Sequence, residues 1–187
     1  MNTKTNYEVL FTENQISEKV KQLGLQITKD YENKNLLLVC MLKGSILFFS
    51  DLIRSIDLNF HIDFMAATSY VGTQSTGVVT IEKDLDLNIS DYHILIVEDI
   101  IDTGRTLTCI KDLLLNKTPL SVKICTFLDK PSKRTVSLIP DYFGYKIDDL
   151  FVIGYGLDYD ENFRNLPFIA IYTDWFESNY KYITGMI

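Results

Sequence analysis

Three carboxylates and a short hydroxyl-rich turn stand together near the middle of the chain, in the stretch LIVEDIIDTGRTL at 95–107. The acids are Glu98, Asp99 and Asp102, and the turn that follows them is Thr103, Gly104, Arg105 and Thr106. Successive backbone N–H groups, two hydroxyls and the positive end of a following helix would together form a phosphate cradle. The glycine would let the backbone approach an anion without a Cβ in the way. The turn therefore predicts a phosphate site.

The acids indicate what the phosphate belongs to. Carboxylates accept hydrogen bonds from hydroxyls, so Glu98 and Asp99 could hold the two vicinal hydroxyls of a ribose while the turn holds its 5′-phosphate. Asp102 would then face the group at the anomeric carbon. A plainer interpretation stays open for the turn alone, in which Thr103 or Thr106 caps a helix and the acids favour its dipole.

The elements that must position these groups alternate between strand and helix. Helical periodicity and a capping box at Thr12 and Gln15 predict a helix at 13–29, and two more helices follow the same pattern at 45–56 and 106–115. Apolar runs predict strands at 35–41, 60–70, 93–99, 121–129, 149–159 and 168–174. This order predicts an α/β fold with a parallel sheet, whose ligands lie at the carboxyl ends of the strands.

Composition limits the class of protein. The 187 residues are most simply one domain, 47% hydrophobic and 23% charged, with no apolar run long enough to span a membrane and no apolar segment near Met1 that resembles a secretion signal. Three widely spaced cysteines suggest neither a disulfide framework nor a zinc site. We therefore expect a cytoplasmic protein. The net charge of −7 argues against nucleic acid as a partner, and the basic segment at 129–134 is interpreted as a solvated loop.

The central stretch resembles the phosphoribosyl pyrophosphate (PRPP) signature of type I phosphoribosyltransferases, in the version carried by the hypoxanthine-guanine enzymes. Four further segments resemble motifs of that family in the same order: MLKGSILFFSDLIR at 41–54, SYVGTQSTG at 69–77, LDKP at 128–131 and FVIGYGLDYDENFRNLP at 151–167. The resemblance covers about 38–174. It implies a central, mostly parallel sheet flanked by helices at about 35–145, and a small hood built from the N-terminal segment and about 146–187.

The resemblance implies a reaction and a set of partners. The 5-phosphoribosyl group of PRPP would pass to N9 of hypoxanthine or guanine, giving IMP or GMP and pyrophosphate in purine salvage. Asp102 would be the general acid/base at N7 of the purine, and the turn and its acids would bind PRPP. The family also implies a homodimer or homotetramer, magnesium (Mg²⁺) as cofactor, and no membrane partner.

Further roles come from the other motifs. Lys43, Gly44 and Arg164 would bind pyrophosphate, with a cis peptide between Leu42 and Lys43. Lys130 would donate to the 6-oxo group of the base, Phe151 would stack on the ring, and Val152 would offer backbone groups to its edge. Ser69 and Tyr70 would close over the site as a lid. The metal would be held by Asp158, Glu98 and Asp99.

Three other interpretations compete with this one. A regulator of the same fold would bind PRPP as an effector and nucleic acid with another surface, but it would not need Asp102 and Lys130. A generic nucleotide-binding domain is suggested by GTQSTGVV at 72–79, where Val78 stands in place of the lysine that a phosphate loop requires. An adenine-specific relative is disfavoured by Lys130 and Phe151.

Overall fold

The structure, a computed structural model, describes residues 7–69 and 79–173. Within these ranges the strands are β1 (Tyr7–Phe11), β2 (Leu36–Leu42), β3 (His61–Ser69), β4 (Val79–Lys83), β5 (His93–Ile101), β6 (Ser121–Asp129), β7 (Tyr142–Lys146), β8 (Val152–Ile153) and β9 (Ile169–Tyr172). The helices are α1 (Glu13–Asp30), α2 (Ile46–Ser55) and α3 (Arg105–Leu115), and a single 3-10 turn covers Pro131–Lys133.

Six strands form the central sheet in the order β4-β3-β2-β5-β6-β7. Five of them run parallel, and β4 pairs antiparallel with β3 at one edge. Every residue of β2 except the last is buried, as expected for a continuous apolar run with helices over both faces. The predicted α/β fold with a mostly parallel sheet is confirmed.

The helices cover both faces of this sheet. Leu36, Leu38 and Cys40 of β2 point into a core with α1 and α2, whereas Leu37 and Val39 point into the core under α3. This alternation follows from the two-residue repeat of a strand. The capping box is present, with Thr12 accepting from the Gln15 amide at 3.4 Å and Gln15 accepting from the Thr12 amide at 2.9 Å. All three helices begin and end within one residue of their predicted bounds.

Strands β1, β9 and β8 form a second, antiparallel sheet in that order. The predicted strand at 149–159 is wrong over most of its length, because only Val152–Ile153 pairs as a strand. The chain then turns at Gly154, Tyr155 and Gly156, all with positive φ, and strand pairing cannot continue through three such residues. The sequence prediction also missed β1, β4 and β7. The last residues of the predicted strands at 60–70 and 168–174 lie outside the described residues.

Cys40, Cys109 and Cys125 are all free. Within the described part, no helix has the length and apolarity needed to cross a membrane.

Candidate active site

The carboxyl end of β5 carries the acids. The strand runs to Ile101, two residues beyond its predicted end, so Glu98 and Asp99 belong to the strand and Asp102 is the first residue after it. Burial raises the pKa of Glu98 well above its ordinary value, and the neighbouring Asp99 charge adds to this. Burial likewise raises the pKa of Asp99. The sheet thus holds two partly buried carboxyls side by side at the point where strand becomes turn.

The turn after Asp102 lines a cavity of about 300 Å³ at the carboxyl ends of β2, β3 and β5. Its walls include every predicted PRPP residue except Arg105, namely Glu98, Asp99, Asp102, Thr103, Gly104 and Thr106. Gly104 has a φ of 79° and precedes the first residue of α3, so the positive end of that helix opens on the cavity. The structure brings the predicted phosphate turn and its acids together around one space.

Arg105 directs its side chain out of this cavity. Its guanidinium Nε donates to Thr135 Oγ1 at 3.1 Å, and only its backbone stays with the turn, where the amide faces Thr103 Oγ1 at 3.4 Å. The Arg105 side chain thus lies away from the cavity, and its contact with PRPP stays a prediction.

Lys130 and Asp102 meet at the mouth of the cavity. The lysine follows β6 and the aspartate follows β5, and the pairing of these neighbouring strands places Lys130 Nζ 2.9 Å from Asp102 Oδ1. The lysine side chain is 7% exposed and the aspartate side chain 51% exposed. A buried donor thus faces a half-exposed acid that lines the cavity.

Gly44 fits between two parts of the site. A Cβ on Gly44 would lie 1.8 Å from Asp99 Oδ2, and a Cβ on Gly156 would lie 2.0 Å from the Gly44 carbonyl oxygen. The peptide between Leu42 and Lys43 is cis, as the resemblance implies. The loop after β2 is therefore packed between β5 and the turn at Gly156, with room for glycine only.

Charged groups around this loop are paired with one another. Lys43 Nζ lies 3.3 Å from Glu161 Oε2, and both side chains are largely exposed. Arg164 binds Asp158 Oδ1 at 2.9 Å and the Gly156 carbonyl at 2.8 Å, whereas its buried Nε has no hydrogen-bond partner. Both predicted pyrophosphate-binding cations thus border the loop of Gly44, and one keeps an unused donor.

Asp158, one of the predicted metal ligands, already accepts two contacts from its own segment. Asp158 accepts from the amide of Glu161 at 2.9 Å as well as from Arg164. No cluster of three or more His, Cys, Asp or Glu that could hold a metal occurs in the described ranges. Mg²⁺ is usually held by one or two carboxylates together with substrate phosphates, so the adjacent Glu98 and Asp99 fit it without a complete protein cage. The three ligands stay a prediction.

The purine residues Phe151 and Val152 lie within the described residues, whereas the lid residues lie at their edge. Phe151 precedes β8, where its carbonyl accepts from the Tyr172 amide at 2.9 Å and its ring meets Tyr159 edge-on at 5.7 Å. Val152 is buried in β8. Ser69 ends β3, and Tyr70 lies outside the described residues. Their contacts with a purine or as a lid stay predictions.

Sequence reasoning missed Arg134. The segment at 129–134 was predicted to be a solvated loop, which is wrong for both its ends: Asp129 and Lys130 are buried, and the Arg134 side chain is only 10% exposed. The exposed part is the 3-10 turn between them. The available signal was position, because these residues follow the carboxyl end of a buried strand, where ligands of a parallel sheet bind.

Comparison with known proteins identifies the family. A family model described as phosphoribosyl transferase domain matches residues 6–160. The chain belongs to the phosphoribosyltransferase family.

Several similar proteins are named hypoxanthine-guanine or hypoxanthine phosphoribosyltransferases. The curated hypoxanthine-guanine phosphoribosyltransferase of Streptococcus thermophilus is 47% identical over 165 residues, which cover 88% of this chain and 92% of the relative. The enzyme of the same name from Streptococcus pneumoniae is 47% identical over 173 residues, covering 92% and 96%. A crystal structure of a hypoxanthine phosphoribosyltransferase from Staphylococcus aureus is 50% identical with a TM-score of 0.87, covering 90% of this chain and 92% of that one.

Proposed function

We propose that this chain is a hypoxanthine-guanine phosphoribosyltransferase of purine salvage. It transfers the 5-phosphoribosyl group of PRPP to N9 of hypoxanthine or guanine, with Mg²⁺, and releases IMP or GMP and pyrophosphate. The family membership and the names of its relatives support this activity. The sheet of β1, β9 and β8 serves as the hood over a core formed by the central sheet, within a single domain.

One observation carries the proposal, namely the pair formed by Lys130 and Asp102. A 6-oxopurine presents O6 and N7 next to each other on one edge. Lys130 Nζ and Asp102 Oδ1 lie 2.9 Å apart, so the two side chains match two adjacent atoms of that edge. The ammonium is a donor only, so it favours the 6-oxo group of hypoxanthine or guanine and leaves the 6-amino group of adenine unpaired.

The reaction follows from this placement. N9 of the purine attacks C1 of the ribose, and the bond from C1 to the pyrophosphate oxygen breaks. The proton on N7 passes to Asp102, which acts as general base. Glu98 and Asp99 hold the ribose hydroxyls, and the amides and hydroxyls of the turn at 103–106 hold the 5′-phosphate. The loop of Lys43 and Gly44, with Arg164, receives the pyrophosphate.

A bound magnesium ion would neutralise charge on the pyrophosphate oxygens and would be held by the carboxylates of Glu98 and Asp99. Asp158 is the third ligand in this proposal, and it would exchange its contact with Arg164 for the metal or a metal-bound water. Phe151 and Val152 hold the base from the hood side, and Ser69 and Tyr70 exclude water when the lid closes.

A steady-state assay with PRPP, Mg²⁺ and each of hypoxanthine, guanine, xanthine and adenine tests the proposal. We expect turnover of hypoxanthine and guanine, little of adenine, and a loss of about 10²- to 10⁴-fold in kcat with Asp102→Asn. Binding of PRPP without turnover would instead indicate a regulator. Asp160→Asn, an exposed acid in the hood, serves as the matched control and should keep the wild-type rate.

The setting of the enzyme is also part of the proposal. We infer a cytoplasmic homodimer or homotetramer without nucleic acid or membrane as a partner. Light scattering on the purified chain distinguishes two copies from four, and a monomer would contradict the proposed assembly.

A further inference from the structure

Arg134 makes a set of contacts that bears directly on the proposed site. Its guanidinium is paired with the buried carboxylate of Asp129, and three backbone carbonyls accept hydrogen bonds from the same group. Nε donates to the Asp102 carbonyl at 3.1 Å, Nη1 to the Leu138 carbonyl at 2.5 Å and Nη2 to the Ile101 carbonyl at 3.4 Å. A fully charged, planar donor is thus used to hold backbone at the end of β5.

The hydrogen bond from Arg134 to the Asp102 carbonyl also fixes the orientation of the backbone amide that follows it. The peptide between Asp102 and Thr103 is trans, so its N–H points away from the carbonyl that Arg134 holds. The next carbonyl, that of Thr103, accepts a hydrogen bond from the Thr135 amide at 3.1 Å. The N–H of Gly104, in the same peptide group, therefore also points away from the segment that contains Arg134. Hydrogen bonds from the segment that contains Arg134 therefore fix the orientation of two successive backbone amides of the turn, those of Thr103 and Gly104.

The turn is also packed against the arginine stem. A Cβ on Gly104 would lie 2.8 Å from Arg134 Cδ, so the glycine backbone rests directly on the side chain. Lys130 is tied to the same place, because its amide donates to the Ile101 carbonyl at 3.0 Å. Arg134 consequently contacts both strand ends whose side chains form the lysine–aspartate pair.

We propose that Arg134 is a positioning residue that sets the place of Asp102 relative to Lys130. Through the same carbonyl it aims the amide of Thr103 at the 5′-phosphate. It touches neither substrate itself and acts through the backbone of the residues that do. This inference rests on the proposed function, because it assigns a role within that reaction.

The test separates positioning from simple stabilisation. Arg134→Met keeps most of the stem but leaves Asp129 buried and unpaired, so we expect a lower Tm as well as lower activity. The double variant Arg134→Met with Asp129→Asn removes that uncompensated charge and should recover part of the lost Tm. We expect kcat/KM with PRPP and hypoxanthine to stay about 10²-fold below wild type in the double variant, since a displaced reacting group costs about that much.

The preference for one base over another is a second readout, because a loss of stability alone would not change it. If Asp102 and Lys130 lose their mutual placement, the preference for hypoxanthine over adenine in kcat/KM should fall by about tenfold or more in the double variant. Lys133→Met is the matched control, because Lys133 is a neighbouring, half-exposed lysine paired with Asp149 at 3.0 Å. It should keep both the rate and the preference.

Recovery of kcat/KM together with Tm in the double variant would overturn the proposal and leave Arg134 a stabilising residue only.

Should the double variant fail to fold, Arg134→Lys decides instead. A lysine keeps the charge beside Asp129 but lacks the planar guanidinium that reaches several carbonyls. We therefore expect a folded protein whose kcat/KM is at most about one tenth of the wild-type value. A wild-type rate there refutes positioning. If the wild-type chain itself does not turn over PRPP with hypoxanthine, the proposed function fails instead.

Discussion

Lys130 Nζ lies 2.9 Å from Asp102 Oδ1, although the two residues follow different strands of the central sheet. The lysine is buried and the aspartate half-exposed. In the proposed reaction, a base would replace this ion pair with two contacts to its own edge, one to each side chain.

Lys130→Met should remove base selection. The thioether cannot donate to a 6-oxo group, so we expect kcat/KM for hypoxanthine to fall by about 10²-fold and the discrimination against adenine to shrink with it. Purine competition assays at fixed PRPP measure both quantities. Lys29→Met, on the exposed end of α1, is the control and should behave as wild type. An unchanged preference for hypoxanthine would refute the role of Lys130.

Gly44→Ala should damage PRPP binding through sterics. The new methyl group would lie 1.8 Å from Asp99 Oδ2, and the opposite side of the loop is closed by the turn at Gly156. Asp99 must therefore move away from the ribose site. We expect kcat/KM for PRPP to fall by about 10²-fold. Initial rates at varied PRPP check this, and a wild-type KM for PRPP would show that the loop has more freedom than its packing indicates.

Glu98→Gln should make the protein more stable at alkaline pH while impairing catalysis. The pKa of Glu98 is raised in the folded state by burial and by Asp99, so the folded chain binds more protons than the unfolded chain above the ordinary carboxyl pKa. The free energy of unfolding then falls as pH rises through the folded-state pKa. A glutamine does not titrate, so the free energy of unfolding of Glu98→Gln does not fall with pH for this reason.

Urea unfolding at about pH 5 and about pH 8 measures the effect. Glu98→Gln should exceed the wild type in free energy of unfolding at the higher pH, and the gap should narrow at the lower one. Glu82→Gln, an exposed carboxylate on β4, is the control and should track the wild type. A gap that widens toward acidic pH would contradict the assigned direction.

Glu161→Gln should strengthen pyrophosphate binding slightly. Glu161 lies 3.3 Å from both Lys43 Nζ and Arg164 Nη2, so it pairs with the two cations that are proposed to bind pyrophosphate. Exposed ion pairs are weak, so we expect only a small fall, within about fivefold, in the inhibition constant of pyrophosphate. Screening should reduce the difference at high salt.

Product-inhibition kinetics at low and high salt check this prediction. Asp149→Asn serves as the control, because Asp149 forms a comparable exposed pair with Lys133 away from the loop. Weaker pyrophosphate inhibition in Glu161→Gln would mean that Glu161 supports the site rather than competing for its cations.

Local signals in the sequence determined the three helices, the strands β2, β3, β5 and β6, and the turn at 103–106. The continuous apolar run of β2 and the helical spacing of α1 are properties of adjacent residues, and they predict a buried strand and an amphipathic helix wherever those residues lie. The turn at 103–106 is also local, since its amides, hydroxyls and glycine are consecutive. The predicted bounds of α3 and β6 were accordingly nearly correct.

Only the tertiary structure decided what depends on distant neighbours. Strand β1 forms by pairing with β9 at the other end of the described chain, and β7 contains Gly144, a poor strand former whose missing side chain makes room for the Phe127 carbonyl. The burial of Arg134 and the meeting of Lys130 with Asp102 likewise arise where separate strand ends converge. Contacts of this kind are set by the pairing of the sheet, and no spacing along the chain encodes them.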